Sequence, residues 1–284
     1  MRIRATVHYD GSAFHGWQSQ PTHRTVQDTL QAELSRLFST PKEPVRVNAA
    51  GRTDAGVHAA AQEVAFDAPS RWKPAELRRA LNANLPEDVW IEKARVARAD
   101  FHPRFDATGR RYEYLIADGH DARSPLRRGR AWVPRRPPDE GVLRAMTPLL
   151  LGERSFESFA RSGQPERGTR CRVERAEWWR TPGSDLVFLI VADRFLRHMV
   201  RYVVGTLVEV ASGQRDEQEI GALLHGSAGV RPPWPAPPYG LYLTGVRYPD
   251  GWNRPAGIPG VCGEVSAQHE HGSVSPLRRS LAHG

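Results

Sequence analysis

One stretch of this chain gathers residues able to do chemistry at close spacing: Gly51-Arg52-Thr53-Asp54-Ala55-Gly56-Val57-His58. The bracketing glycines permit tight or left-handed backbone, and loops held on a rigid scaffold carry function disproportionately. Arg52, two residues before Asp54, is placed to pair with its carboxylate, because a nearby cation keeps an acid ionised. An ionised, aimed carboxylate is a nucleophile or a proton acceptor. By itself an Arg-x-Asp spacing describes an ordinary turn with an Asx hydrogen bond. His58 closes the loop rather than moving protons.

A second group is basic. Arg194, Arg197, His198 and Arg201 recur at i, i+3, i+4 and i+7 along a helix expected from about Phe195 to Val210. They lie opposite an apolar face of Leu196, Met199, Val200, Val203, Val204 and Leu207. Like charges at helical spacing are mildly destabilising, so an uncompensated stripe points to phosphate binding ahead of the alternative, a solvated face. The segment Asp10 to Gln20 adds Trp17 and Gln18, a stacking surface and a hydrogen-bonding amide, or else a buried tryptophan anchor.

The elements that must position these groups follow from hydrophobic periodicity. Ile3, Ala5, Val7 and Tyr9 alternate as a strand. Thr25 and Asp28 form a capping signal before a helical face of Val26, Leu30, Leu34 and Leu37. Val45 to Ala49 and the segment around Val64 and Phe66 read as strands, Pro74 opens a helix with Leu77, Leu81 and Leu85, and a strand begins at Val89. The order is β-α-β-β-α-β. It returns after residue 108 with strands at Tyr112 to Ile116, Val173 and Leu186 to Val191, a helix on Val142, Met146 and Leu149, the basic helix, and a strand at Leu241 to Tyr248. The expected fold is therefore α+β, two ferredoxin-like or RRM-like halves with antiparallel sheets side by side and a central cleft, a preferred place for a binding site. The expected domains are residues 1–108 and 109–250, with 251–284 a disordered tail lacking apolar period.

Composition narrows the partner. Forty Lys and Arg against 32 Asp and Glu give a net charge of +8 and a pI near 10, which favours a polyanion and nucleic acid first. The longest apolar run, Leu186 to Ala192, is far short of the ~20 residues of a membrane span. Met1 to Asp10 alternates instead of forming a secretory signal, so the expected location is cytoplasmic. Cys171 and Cys262 have no paired spacing for a disulfide or zinc, and no HExxH or GxxxxGK[ST] pattern occurs.

The octapeptide around Asp54 resembles the signature of the tRNA pseudouridine synthase A family. The resemblance spans roughly residues 3 to 250. It continues through Tyr9-Asp10-Gly11-Ser12, Gly16-Trp17-Gln18, Leu81-Asn82-Ala83-Asn84-Leu85-Pro86, Phe101-His102-Pro103-Arg104-Phe105, Arg111-Tyr112-Glu113-Tyr114, His198-Met199-Val200-Arg201 and Gly240-Leu241-Tyr242-Leu243, in that order. It departs at Tyr202, where a polar residue is expected, and does not align over Ser162 to Thr169. The resemblance implies isomerisation of uridine to pseudouridine in the anticodon stem-loop of tRNA, at positions 38, 39 and 40. It implies Asp54 as the catalytic carboxylate, attacking C1′ or C6 or removing the 2′ proton, with Arg52 orienting it. Tyr112 would stack on the uracil, and Gln18, Arg201 and Leu241 would also bind substrate. No cofactor or metal is implied; tRNA and a second subunit of a homodimer are the implied partners. The alternatives are a pseudouridine synthase acting on another RNA and a non-catalytic RNA-binding module.

Overall fold

The computed structural model describes residues 1–40, 44–125, 129–161, 168–183, 185–227, 229–253 and 258. Strand β1 (Arg2–Tyr9) buries Ile3, Ala5, Val7 and Tyr9 on one face, as its alternation requires. Helix α1 (Val26–Phe38) starts where the Thr25 hydroxyl accepts from the Asp28 N–H at 3.2 Å, and it buries Val26, Leu30, Leu34 and Phe38. Strand β2 (Asn48–Ala49) is shorter than expected, and β3 (His58–Asp67) follows the Asp54 loop directly. Helix α2 (Pro74–Asn84) opens on its proline, and β4 (Val89–Val96) completes the first unit. The strands lie in the order β4-β1-β3, with β2 also on β3.

The second unit follows that order with one further strand and one further helix. It comprises β5 (Gly109–Ile116), α3 (Glu140–Met146), β6 (Gly152–Ser155), β7 (Arg170–Arg180), β8 (Leu186–Ala192), α4 (Met199–Ala211), α5 (Gln218–Leu224) and β9 (Leu241–Tyr248). Its strands run β9-β5-β8-β7-β6. The fold class is the expected mixed α+β arrangement, with one refinement. The two halves are continuous in one sheet, because β3 and β9 pair in parallel through His58 with Tyr242 and Ala59 with Leu243. The helix-bearing face buries one hydrophobic cluster running through both halves, from Ile3 and Leu34 to Phe188 and Leu207.

Three local expectations need correction. The helix at 140–146 buries Leu143, and the following turn buries Thr147 and Leu150, while Leu149 stays 39% exposed. Pro148 tightens the chain there and rotates the apolar face by one residue. Helix α4 begins at Met199 instead of Phe195, because His198 takes a left-handed φ of 64° and ends the approach segment. Arg194 and Arg197 thus lie outside the helix, and the expected basic stripe does not form.

The third correction concerns the tail. Gly251–Trp252 form a short strand, β10, against β9. Asn253 and the buried Ile258 close over the sheet face opposite the helices. Two buried acids explain this. Glu63 is bound by Arg4, Thr6 and Asn253, and Glu113 by Arg111, Thr244 and the Ile258 N–H. A buried carboxylate is tolerated only when so partnered. Residues 254–257 and 259–284 of the expected tail, including Cys262, and 162–167 of the unaligned stretch lie outside the described residues. Among the described residues no helix is long and apolar enough to cross a membrane.

Candidate active site

The Asp54 loop leaves β2, crosses the end of the sheet and enters β3 at the seam between the halves. It is held from below by a polar chain. Tyr9 Oη and Thr53 Oγ1 are 2.8 Å apart, and Gln62 Nε2 donates to Gly51 O at 2.8 Å and to Tyr9 Oη at 3.4 Å. Burial pushes the Tyr9 phenol up to about 12, so it stays protonated.

The segment from Asp10 to Trp17 clamps the loop from the side. Trp17 N donates to Thr53 O at 3.1 Å, and Gly56 N to Phe14 O at 3.2 Å. Gly16, at φ +91°, lies so close that an added Cβ would sit 2.7 Å from Thr53 O, so only glycine fits. Trp17 is buried against Tyr9 and is an anchor, while Gln18 stands exposed beside it. His58 does close the loop: Nδ1 meets the Gly11 N–H at 3.1 Å and Asp10 at 3.2 Å, and Nε2 meets the Gly129 and Tyr239 carbonyls at 3.1 Å each.

The carboxylate of Asp54 reaches across the seam. Its Oδ2 lies 3.3 Å from Arg201 Nη1 and its Oδ1 3.3 Å from His198 Nε2, with the side chain 23% exposed. Both partners belong to the start of α4, whose first turn holds no acid. Arg201 is itself fixed, its Nε donating to Ala236 O at 2.8 Å. This corrects the expected pairing within the loop: Arg52 is exposed and makes no hydrogen bond or ion pair among the described residues.

Tyr112 projects from β5 beneath this group, its ring edge-on to Phe195 at 5.1 Å. Burial first, then Tyr9 and the charge of Asp54, hold its phenol well above the ordinary range, leaving a neutral aromatic face. Leu241, 5% exposed, starts β9 opposite Tyr114 and lines the same seam. Of the sequence candidates, Asp54 and Arg201 meet here with Tyr112 close by, Leu241 begins the neighbouring strand β9, and Arg52 and Gln18 are exposed. His198 was read only as part of a basic stripe. Nothing in the local spacing marks it as a partner of a residue 144 positions earlier.

The site thus sets a paired carboxylate close to a buried tyrosine at the seam of two α+β units. Comparison with known proteins gives the class: a family model described as tRNA pseudouridine synthase matches residues 5–106 and 146–249. The tRNA pseudouridine synthase A of Methylacidiphilum infernorum is 38% identical over 87% of this chain and 95% of its own length. That of Neisseria gonorrhoeae is 40% identical over 88% and 93%, and that of Geobacter sulfurreducens 40% over 87% and 99%. The chain belongs to the tRNA pseudouridine synthase A family, and it is an isomerase acting on uridine in tRNA.

Proposed function

We propose that this enzyme converts uridine to pseudouridine at positions 38, 39 and 40 of the tRNA anticodon stem-loop, in the cytoplasm, with Asp54 as the catalytic nucleophile. The observation that carries this reading is the Asp54 carboxylate held by Arg201 and His198, both at 3.3 Å, from the opposite half of the chain. The reaction breaks the N1–C1′ bond, turns the uracil and joins C5 to C1′, with the C5 proton lost and N1 gaining one. A carboxylate serves as electron-pair donor whether it adds to C1′, adds to C6 or takes the 2′ proton, and an amide fails on each route. Tyr112 supports the uracil from below and Leu241 bounds it at the seam. Residues 1–108 and 109–250 act as the two domains that contribute Asp54 and its partners respectively.

Exposed Arg52 takes a role toward RNA in place of the expected one toward Asp54: its free fork is available to a phosphate or to the space the target base vacates. Exposed Gln18 serves the same rim. A homodimer completes the reading, with one tRNA touching both subunits, as family resemblance implies.

The test is single-turnover product formation and filter-binding affinity on an unmodified tRNA transcript, with pseudouridine mapped at each nucleotide. Asp54→Asn is expected to abolish product while leaving affinity within a few fold. Arg52→Ala is expected to lower affinity and rate together. Product at near wild-type rate from Asp54→Asn removes the carboxylate from the mechanism, and product only outside the anticodon stem-loop refutes the substrate assignment.

A further inference from the structure

The segment Arg231–Pro237 contains Pro232, Pro233, Pro235 and Pro237, so its backbone has little freedom to lose. It is also tied down along its length. Arg215, whose side chain is 0% exposed, donates to the carbonyls of Arg231 at 3.0 Å and Pro232 at 3.1 Å. Ala236 N donates to Arg201 O at 2.9 Å, Arg201 Nε returns a bond to Ala236 O at 2.8 Å, and Tyr114 Oη donates to Pro237 O at 2.7 Å. At Gly205 the strap touches the α4 backbone, since an added Cβ there would sit 2.0 Å from Trp234 O.

On this rigid support Trp234 is 76% exposed, the most exposed of the large hydrophobic side chains, and its ring makes no aromatic contact among the described residues. A large apolar ring held outward by a strap bonded on both sides of it is a presented surface, not a frayed one. Its surroundings suit a polyanion. The strap residue two positions on, Ala236, shares Arg201 with Asp54, which ties the strap to the active site. Arg52, two residues from Asp54, and Arg197, next to His198, are exposed and make no ion pair among the described residues. Tyr202, three residues from Gly205 on α4, is a partly buried ring packed against the core and against His198.

We propose that Trp234 is a stacking platform for an unpaired base of the substrate tRNA, outside the pocket that takes the target uridine. The proposal rests on the tRNA reading for the identity of the ligand. Stacking is tolerant of sequence because every base has a π-face, and it is insensitive to salt in a way phosphate contacts are not.

The experiment compares wild type, Trp234→Ala and Trp234→Phe on one unmodified tRNA transcript, by filter binding over a salt series, single-turnover rate at saturating tRNA, and sedimentation. Trp234→Ala is expected to weaken binding by about 5- to 150-fold, with the salt slope and the saturated rate unchanged. Trp234→Phe is expected to recover most of the loss. Wild-type affinity in Trp234→Ala overturns the proposal. So does a change in sedimentation with affinity per protomer unchanged, which makes the ring a contact between copies of the chain. Wild-type product on the same transcript is the control: its absence defeats the assigned reaction, while the binding comparison still decides the stacking.

Discussion

Replacing Asn253 by alanine tests whether the chain beyond Asp250 is part of the folded protein. The side chain makes three bonds: Nδ2 to Glu63 Oε1 at 3.0 Å, Nδ2 to Ala61 O at 3.1 Å, and Oδ1 from the Val246 N–H at 2.8 Å. Glu63 is 1% exposed, and a bond to a buried charge is worth about 1.5–3 kcal/mol against about 1 kcal/mol for each neutral one. The site is partly open and Arg4 and Thr6 remain on Glu63, so water and those partners recover some of the sum. The expected loss is about 2–4 kcal/mol. For a chain of this size each kcal/mol lowers Tm by about 2–4 °C, giving a fall of roughly 5–15 °C in calorimetry. Truncation after Asp250 also removes β10 and the Ile258 N–H on Glu113, and its Tm should be at least as low. Single-turnover activity at 25 °C should survive in both, because these residues cover the sheet face opposite Asp54. A truncated protein with wild-type Tm would refute the docking and restore the view of a dispensable tail.

Gly205→Ala drives a Cβ into the Trp234 carbonyl; overpacking of this kind costs about 1–3 kcal/mol, and by displacing Ala236 from Arg201 it should lower single-turnover rate as well as Tm. Loss of Tm without loss of rate would detach the strap from the site. Asp10 is held below the ordinary carboxylate range chiefly by its hydrogen bond to His58, with Ser12 assisting. Its stabilisation is therefore full above the unfolded value near ~3.9 and fades as pH falls below that toward the folded value. Urea unfolding at several pH values should show Asp10→Asn less stable than wild type near neutrality, with the gap closing below about pH 4; a gap constant with pH would contradict the linkage.

Much of this molecule is written locally in its chain. The period-two run from Ile3 to Tyr9, the Thr25 cap and the proline at 74 each state an element through nearest-neighbour physics, and all three elements form as read. Recognition of the Asp54 loop likewise needs only eight consecutive residues. What surrounds the carboxylate is decided elsewhere. Arg52 is the nearest cation in sequence, but the side chains that reach Asp54 are Arg201 and His198, brought over by the parallel pairing of β3 with β9 and by a left-handed turn at His198. Periodicity cannot report that turn, so it extends the helix four residues too far back and implies a basic stripe that the structure lacks. The docking of residues 251–253 and 258 was equally hidden. It is driven by Glu63 and Glu113, acids that look solvent-facing on alternating strands until the sheet closes and leaves their carboxylates needing donors. Spacing along the chain fixes which faces are apolar, whereas the partner of a buried charge depends on which distant backbone the sheet delivers to it.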